Sequence, residues 1–135
     1  MDETGRALTE ADLDLVATAT AAVDGNADGH VHTVASSVRD DEGRVFTGVN
    51  VFHFTGGPCA ELVALGAARA GGARALTTIV AAGEGGRGVL APCGRCRQVL
   101  ADLHGGIEVI VPTEDGLAVV RAPMLLPFRY VAPIA

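Results

Sequence analysis

Gly56-Gly57-Pro58-Cys59-Ala60-Glu61-Leu62-Val63 and, further on, Pro92-Cys93-Gly94-Arg95-Cys96 hold the chain's whole cysteine complement, three residues in 135. Cys93 and Cys96 have the two-residue gap that lets a pair of thiolates grip one tetrahedral zinc ion, and Cys59 offers a third sulfur. Three protein ligands leave a fourth position open, the arrangement of a catalytic zinc rather than a structural one. Glu61, two residues past Cys59, is a carboxylate placed to move protons beside that position. A structural zinc needs a fourth protein ligand, and none of His30, His32, His53 and His104 stands at finger-like spacing.

Each half of this pattern runs from a Gly/Pro-containing turn into a helical stretch. The metal would then sit at two helix N-termini, where backbone dipoles favour thiolate over thiol. Cys93 and Cys96, three apart, share one side of a first turn. Cys59 and Glu61 are about 200° apart at ~3.6 residues per turn, so they converge only with one of them at the helix mouth. Three thiolates on a divalent ion leave a net negative centre, and something positive has to offset it. Arg95, between the two paired cysteines, can donate to a ligand sulfur; read by position alone it is equally a surface arginine.

Outward from these stretches the chain reads as alternating elements. A first helix starts at Thr9 as N-cap, with Asp12 at the third helical position and a Leu8–Leu13 staple. It runs to about Val23, where Asp24-Gly25-Asn26 stops it. Val31–Val38 and Arg44–Val51 are β-rich runs joined by the turn Asp40-Asp41-Glu42-Gly43. Pro58 suits the first turn of the second helix, which continues through Ala70 and is apolar on most faces; that predicts burial on both sides, and Gly66 with its alanines suggests an oligomer contact. Leu76–Ala82 is a continuous apolar, hence central, strand. The loop from Gly83 to Gly88 lacks the Gly-Lys-Ser/Thr of a phosphate cradle and reads as plain connection. A third helix spans Pro92 to about Leu103, and Ile107–Val111 and Leu117–Arg121 are further strands. The order α-β-β-α-β-α-β-β implies one domain over residues 1–135, a three-layer α/β/α sandwich.

Composition narrows the function class. The chain is 49% hydrophobic and 19% charged, with a formal charge of −6 and arginine as its only strong base. An acidic chain with no basic cluster is a poor footprint for nucleic acid, which disfavours a nucleic-acid editor. A small substrate is the expectation, and a cationic one gains from long-range attraction. Every apolar run is broken well short of about 18 residues, so no membrane partner is expected. The acidic opening Met1-Asp2-Glu3-Thr4-Gly5-Arg6 has no signal-peptide layout, and three cysteines at metal spacing suit a reducing compartment, so the cytoplasm is the expected location.

A Cys first ligand, a non-ligand Glu and Pro-Cys-x-x-Cys form the pattern of zinc deaminases acting on nucleobases, with the Glu as general acid/base. Longer strings agree with it: Val45-Phe46-Thr47-Gly48-Val49-Asn50-Val51, then His53-Phe54-Thr55-Gly56-Gly57-Pro58-Cys59-Ala60-Glu61-Leu62-Val63, then Pro92 to Leu100, then Leu125-Leu126-Pro127. On these the chain resembles the cytidine deaminase family, and within it the blasticidin S deaminases, from about Ser36 to Tyr130. The resemblance implies a three-layer α/β/α fold with a mixed five-stranded sheet and a homotetramer whose sites borrow residues from neighbouring subunits. It also implies Zn²⁺ on Cys59, Cys93 and Cys96, catalysis by Glu61, and Arg95 beside the metal centre. Ser36, Phe46, Asn50, Phe52, Ala60 and Tyr130 become substrate contacts by the same resemblance, and the backbone near Ala91 the acceptor for the leaving amine. Phe54 reads as a core residue.

The implied reaction is hydrolysis of the cytosine amine of a nucleoside to give uracil and ammonia, with blasticidin S or a related cytosine nucleoside first. Cytidine salvage is the second reading, and a non-catalytic nucleoside-binding protein a third. Phe52 stands where cytidine deaminases carry a ribose-holding Glu and blasticidin S deaminases a Tyr. The segment Tyr130-Val131-Ala132-Pro133 has Ala132 where the latter carry a Trp.

Overall fold

In the computed structural model, which describes residues 5–131 and 133, three helices flank one mixed sheet. Helix α1 (Glu10–Asn26) opens on the expected cap: Thr9 Oγ1 accepts the Asp12 amide and the Asp12 carboxylate accepts the Thr9 amide. Its buried stripe, Leu15, Ala19 and Val23, repeats every fourth residue. The helix outlasts the expected stop at Asp24-Gly25-Asn26, because the Asn26 side chain donates to the Ala22 carbonyl and Ala27 caps Val23. Leu13 is 53% exposed, so the Leu8–Leu13 staple does not stand; Leu8 packs beneath α1 instead.

Strands β1 (Val34–Asp40) and β2 (Val45–Val49) form the expected hairpin, in the register Ala35↔Val49 to Arg39↔Val45. Both are shorter than the sequence suggests, because Val31–Thr33 and Asn50–Val51 leave the ladder to build loops. The turn is held by the Asp40 carboxylate, which accepts the Glu42 and Arg44 amides and the Arg44 guanidinium. Helix α2 (Ala60–Ala70) follows, with Cys59 as N-cap, so Pro58 precedes the helix rather than entering its first turn. Its buried face is Ala60, Glu61, Ala64 and Ala68. The opposite face, with Gly66, Arg69 and Ala70, is exposed in the single chain, contrary to the expected burial on both sides.

Strand β3 (Leu76–Gly83) is central, in keeping with its run of apolar and β-branched residues. The short strand β4 (Gly88–Leu90) was not legible in the glycine-rich loop, since three residues carry no period; it pairs with the end of β3. Helix α3 (Gly94–Leu103), strands β5 (Glu108–Thr113) and β6 (Gly116–Arg121) and a 3₁₀ turn (Ala122–Leu125) complete the order. The sheet runs β2-β1-β3-β5-β6 with β4 beside β3; β3 and β5 are parallel and the other pairs antiparallel. The expected five strands are this main path, and β4 makes a sixth.

Successive strand residues point to opposite faces, and that alternation sorts the core into two clusters. Ala35, Val80, Ile110 and Val119 meet Leu15, Ala19 and Val23 of α1. Val38, Ile79, Val109 and Val120 meet Ala64 and Ala68 of α2 and Leu100 of α3. The result is three layers, with α2 and α3 side by side on one face. No helix among the described residues is long and apolar enough to cross a membrane.

Candidate active site

Cys59 and Cys93 are the N-caps of α2 and α3, each with an extended backbone (φ −66°, ψ 157° and φ −69°, ψ 170°). An N-cap residue stands half outside its helix, so its side chain covers the helix tip while Glu61 and Cys96 project from the first turn. That geometry brings Cys59 and Glu61 together despite their separation around the helix. The Cys59 and Cys93 Sγ atoms are 3.5 Å apart, and the ligand atoms of Cys59, Cys93 and Cys96 all lie within 4.8 Å of one another. Tetrahedral zinc with bonds of about 2.3 Å separates its sulfurs by roughly 3.8 Å, so the three sulfurs fit that ion. None of the four histidines belongs to this cluster.

Glu61 is 7% exposed, and burial pushes its carboxyl above the usual range against its own amide and the Cys96 thiol. Burial, then the negative charge of Glu61, raises the Cys96 thiol. For Cys93 burial is outweighed by the Cys96 amide and the neighbouring thiols, and its thiol falls below the ordinary value. Glu61 and Cys96 both resist ionising at this spot, and a divalent cation held by the sulfurs would offset that charge. Arg95 supplies part of that positive charge: its Nη2 donates to the Gly57 carbonyl at 2.9 Å and to Cys59 Sγ at 3.5 Å, and the sulfur holds the guanidinium more firmly protonated.

A cavity of about 190 Å³ opens onto this cluster. Of the residues named from sequence, Asn50, Cys59, Ala60, Glu61, Ala91 and Cys93 line it. Val34, Ala81 and Leu90 complete the wall and were not anticipated. Val34 and Ala81 lie two positions from Ser36 and Ile79 on the face turned to α2, so period-two patterning would have found them had the Ser36↔Ala81 register been known.

Four named substrate contacts do not line the cavity. Ser36 is fully buried, with its hydroxyl donating to the Val80 carbonyl at 2.8 Å. Phe46 packs beside Gly71, at the opposite end of α2 from Glu61. Phe52 is 66% and Tyr130 73% exposed, because their loops hold them by backbone alone: the Phe52 amide donates to Val31, and the Tyr130 carbonyl accepts from Gln98. Phe54 is 89% exposed against His53, so it is no core residue. Ala132 lies outside the described residues. A larger cavity, about 350 Å³, lies between the C-terminal ends of α2 and α3. Its walls include Leu65, Leu103, Arg69 and His104 and hold neither a thiolate nor a carboxylate, so size does not make it the reaction site.

Comparison with known proteins agrees with this geometry. Residues 9–112 match the family model for the cytidine and deoxycytidylate deaminase zinc-binding region. A blasticidin-S deaminase of Bacillus cereus is 28% identical over 132 residues, covering 91% of this chain and 94% of the relative. A cytidine deaminase of Mycobacterium tuberculosis is 43% identical over 81 residues, 58% of this chain and 59% of the relative. Among solved structures, the cytidine deaminase of Burkholderia pseudomallei superposes with a TM-score of 0.71 at 32% identity, covering 91% of this chain and all of that one (100%). That of Mycobacterium leprae gives 0.70 at 30%, covering 84% and 95%. A family match over well more than half of the chain, on the stretch that carries all three cysteines, is decisive: the chain belongs to the cytidine and deoxycytidylate deaminases, hydrolytic aminohydrolases built on a zinc-binding region.

Proposed function

We propose that the chain deaminates the cytosine ring of blasticidin S or a related cytosine nucleoside, with Glu61 as the acid/base and Cys59, Cys93 and Cys96 as zinc ligands. The observation that carries the chemistry is a buried carboxylate lining one cavity with Cys59 and Cys93, whose sulfurs cluster with that of Cys96 within 4.8 Å. Zinc held there supplies the Lewis acidity that makes water a nucleophile at neutral pH. Glu61 accepts one proton of the attacking water and delivers it to ring N3 as C4 becomes tetrahedral. It then takes the remaining proton of that oxygen and passes it to the departing amine as the C4–N bond breaks and C4=O forms. Its burial keeps bulk water from competing for that proton. Asn50, on the facing wall, offers a hydrogen bond to the nucleoside, and the Ala91 carbonyl is the acceptor for the leaving amine.

Two observations support the blasticidin-type substrate: the relative of that name aligns over nearly the whole chain, and the ribose-holding carboxylate of cytidine deaminases is replaced by Phe52. Cytidine is the second reading, and the higher local identity to a cytidine deaminase supports it equally. Ammonia release from cytidine, deoxycytidine and blasticidin S separates the two. Turnover of blasticidin S at the higher kcat/KM is the expected result, and a preference for cytidine assigns the chain to salvage. Glu61→Gln should keep its zinc and lose roughly 10²–10⁴-fold in kcat. Full activity in that variant ends the mechanism.

The assembly we propose is a cytoplasmic homotetramer. Phe52, Phe54, Phe128, Tyr130 and Val131 all project from the loops near the cavity and the tail, an apolar display that a neighbouring subunit would cover. Antibiotic resistance is the biological role that follows if blasticidin S is the preferred substrate.

A further inference from the structure

Asn50 lines the cavity, and its hydrogen bonds leave little freedom in how it does so. Its Oδ1 accepts the backbone amides of Thr33 at 2.6 Å and Val34 at 2.9 Å, and its Nδ2 donates to Thr33 Oγ1 at 3.1 Å. Backbone amides only donate, so the atom facing them is the oxygen. Both lone-pair directions of Oδ1 are thereby used, and one N–H remains. The side-chain hydrogen-bonding capacity that Asn50 keeps for the cavity is therefore a donor, and a substrate group that meets it is an acceptor.

On the other side of the same residue stands His32. Its Nδ1 is 2.7 Å from the Asn50 carbonyl oxygen. A carbonyl only accepts, so Nδ1 carries the proton. The ring is delivered by a small closed loop: the Asp28 carboxylate accepts the amides of His30, Val31 and His32, each at 2.9 Å, and the Asp28 amide donates to the His32 carbonyl at 3.0 Å. The Val31 carbonyl, inside that loop, accepts the Phe52 amide at 2.9 Å. Asn50 thus has its carboxamide held from the β1 side and its backbone held by an imidazole, and it belongs to neither flanking strand. His32 itself is half-buried and does not line the cavity.

We propose that His32 is a positioning residue for substrate recognition, acting through the Nδ1–H bond to the Asn50 carbonyl that keeps the free Asn50 N–H directed at an acceptor group of the nucleoside. This rests on the reading above that Asn50 faces the nucleoside. His32→Phe keeps a ring of similar size without the donor, and His32→Asn returns an N–H near the place of Nδ1.

The test is a double-mutant cycle on the zinc-loaded protein in a Glu61→Gln background, so that ligand is not consumed. Calorimetry gives Kd for cytidine and for blasticidin S. His32→Phe should weaken the tighter-bound nucleoside about tenfold, and His32→Asn should return most of that loss, the scale of one neutral hydrogen bond. In Asn50→Ala the His32→Phe penalty should vanish, because the group it orients is gone. Melting temperatures of the same variants separate this from a packing role, which would lower Tm while leaving the penalty intact without Asn50. Unchanged Kd in His32→Phe, or an equal penalty with and without Asn50, overturns the proposal. Coupling without ammonia release by the wild type keeps the proposal and ends the deaminase reading. If neither nucleoside binds, Asn50 faces no nucleoside and the proposal falls.

Discussion

Arg95 shows how a single side chain gains meaning from its neighbours. In sequence it is an arginine between two cysteines; in the fold its guanidinium bridges the Gly57 carbonyl and the Cys59 sulfur, tying the start of α3 to the turn before α2. Removing it takes away both a positive charge beside a three-thiolate centre and a clamp on the loop that places Cys59. Arg95→Gln is expected to lose roughly 10–100-fold in zinc affinity or kcat, the usual scale for residues that support metal ligands, read by metal analysis and steady-state kinetics. Wild-type zinc affinity and turnover would show that the contact is incidental. The cysteine cluster was legible in sequence, because Cys-Ala-Glu and Pro-Cys-x-x-Cys encode a metal-ligand set locally. That Ser36, Phe46, Phe52 and Tyr130 do not line the cavity was not legible, since facing a cavity is a property of side-chain direction and of what stands opposite.

At the scale of elements, the site depends on how closely α2 approaches the sheet. A Cβ at Gly48 would sit 2.5 Å from the Ala64 amide nitrogen and 2.8 Å from the Val63 carbonyl carbon, and both are backbone atoms that cannot swing aside. Glycine in β2 is what lets the helix lie against the hairpin. Gly48→Ala is expected to cost about 1–3 kcal/mol by overpacking and to lower activity as α2, with Cys59 and Glu61 at its tip, is pushed outward. Denaturant melts and kcat together check it; an unchanged Cm would mean that the helix has room. The helix starts were legible because caps are chemical signatures: Thr9 with Asp12 formed the expected box. The stop of α1 was not, because Asp24-Gly25-Asn26 permits an end without requiring one. Strand β4 escaped for want of length.

The whole molecule is tied across its layers by one buried carboxylate. Asp12 of α1 meets Arg6 at 2.7 Å and Arg39 of β1 at 3.1 Å, while Arg6 reaches on to Glu108 of β5 at 2.8 Å. Burial works to raise the Asp12 carboxyl, but the bonds from Arg6, Thr9 and Arg39 prevail and hold it at about 2, below its ordinary 3.8. A depressed folded value means that its contribution is complete above about pH 4 and is lost as pH falls toward 2. The loss is on the order of 1–2 kcal/mol, with allowance for the half-exposed Arg6. Thermal melts between pH 5 and 2 should therefore fall more steeply for the wild type than for Asp12→Asn; parallel curves would show that the network adds nothing. None of this was readable from the chain, where Arg6, Asp12, Arg39 and Glu108 have no shared motif and meet only because α1 lies across the sheet.

The sequence by itself determined the reaction. A metal ligand set and a helix cap are each specified by residue type and short spacing, as is the carboxylate two residues past the first cysteine, and the three-layer order follows from alternating periods of hydrophobicity. Tertiary structure alone decided which side chains face the cavity, which phenyl rings lie in solvent, and that His32 and Asp28 stand behind Asn50. Those relations join residues far apart in the chain through strand register and helix packing, and register sets which of two faces every side chain takes.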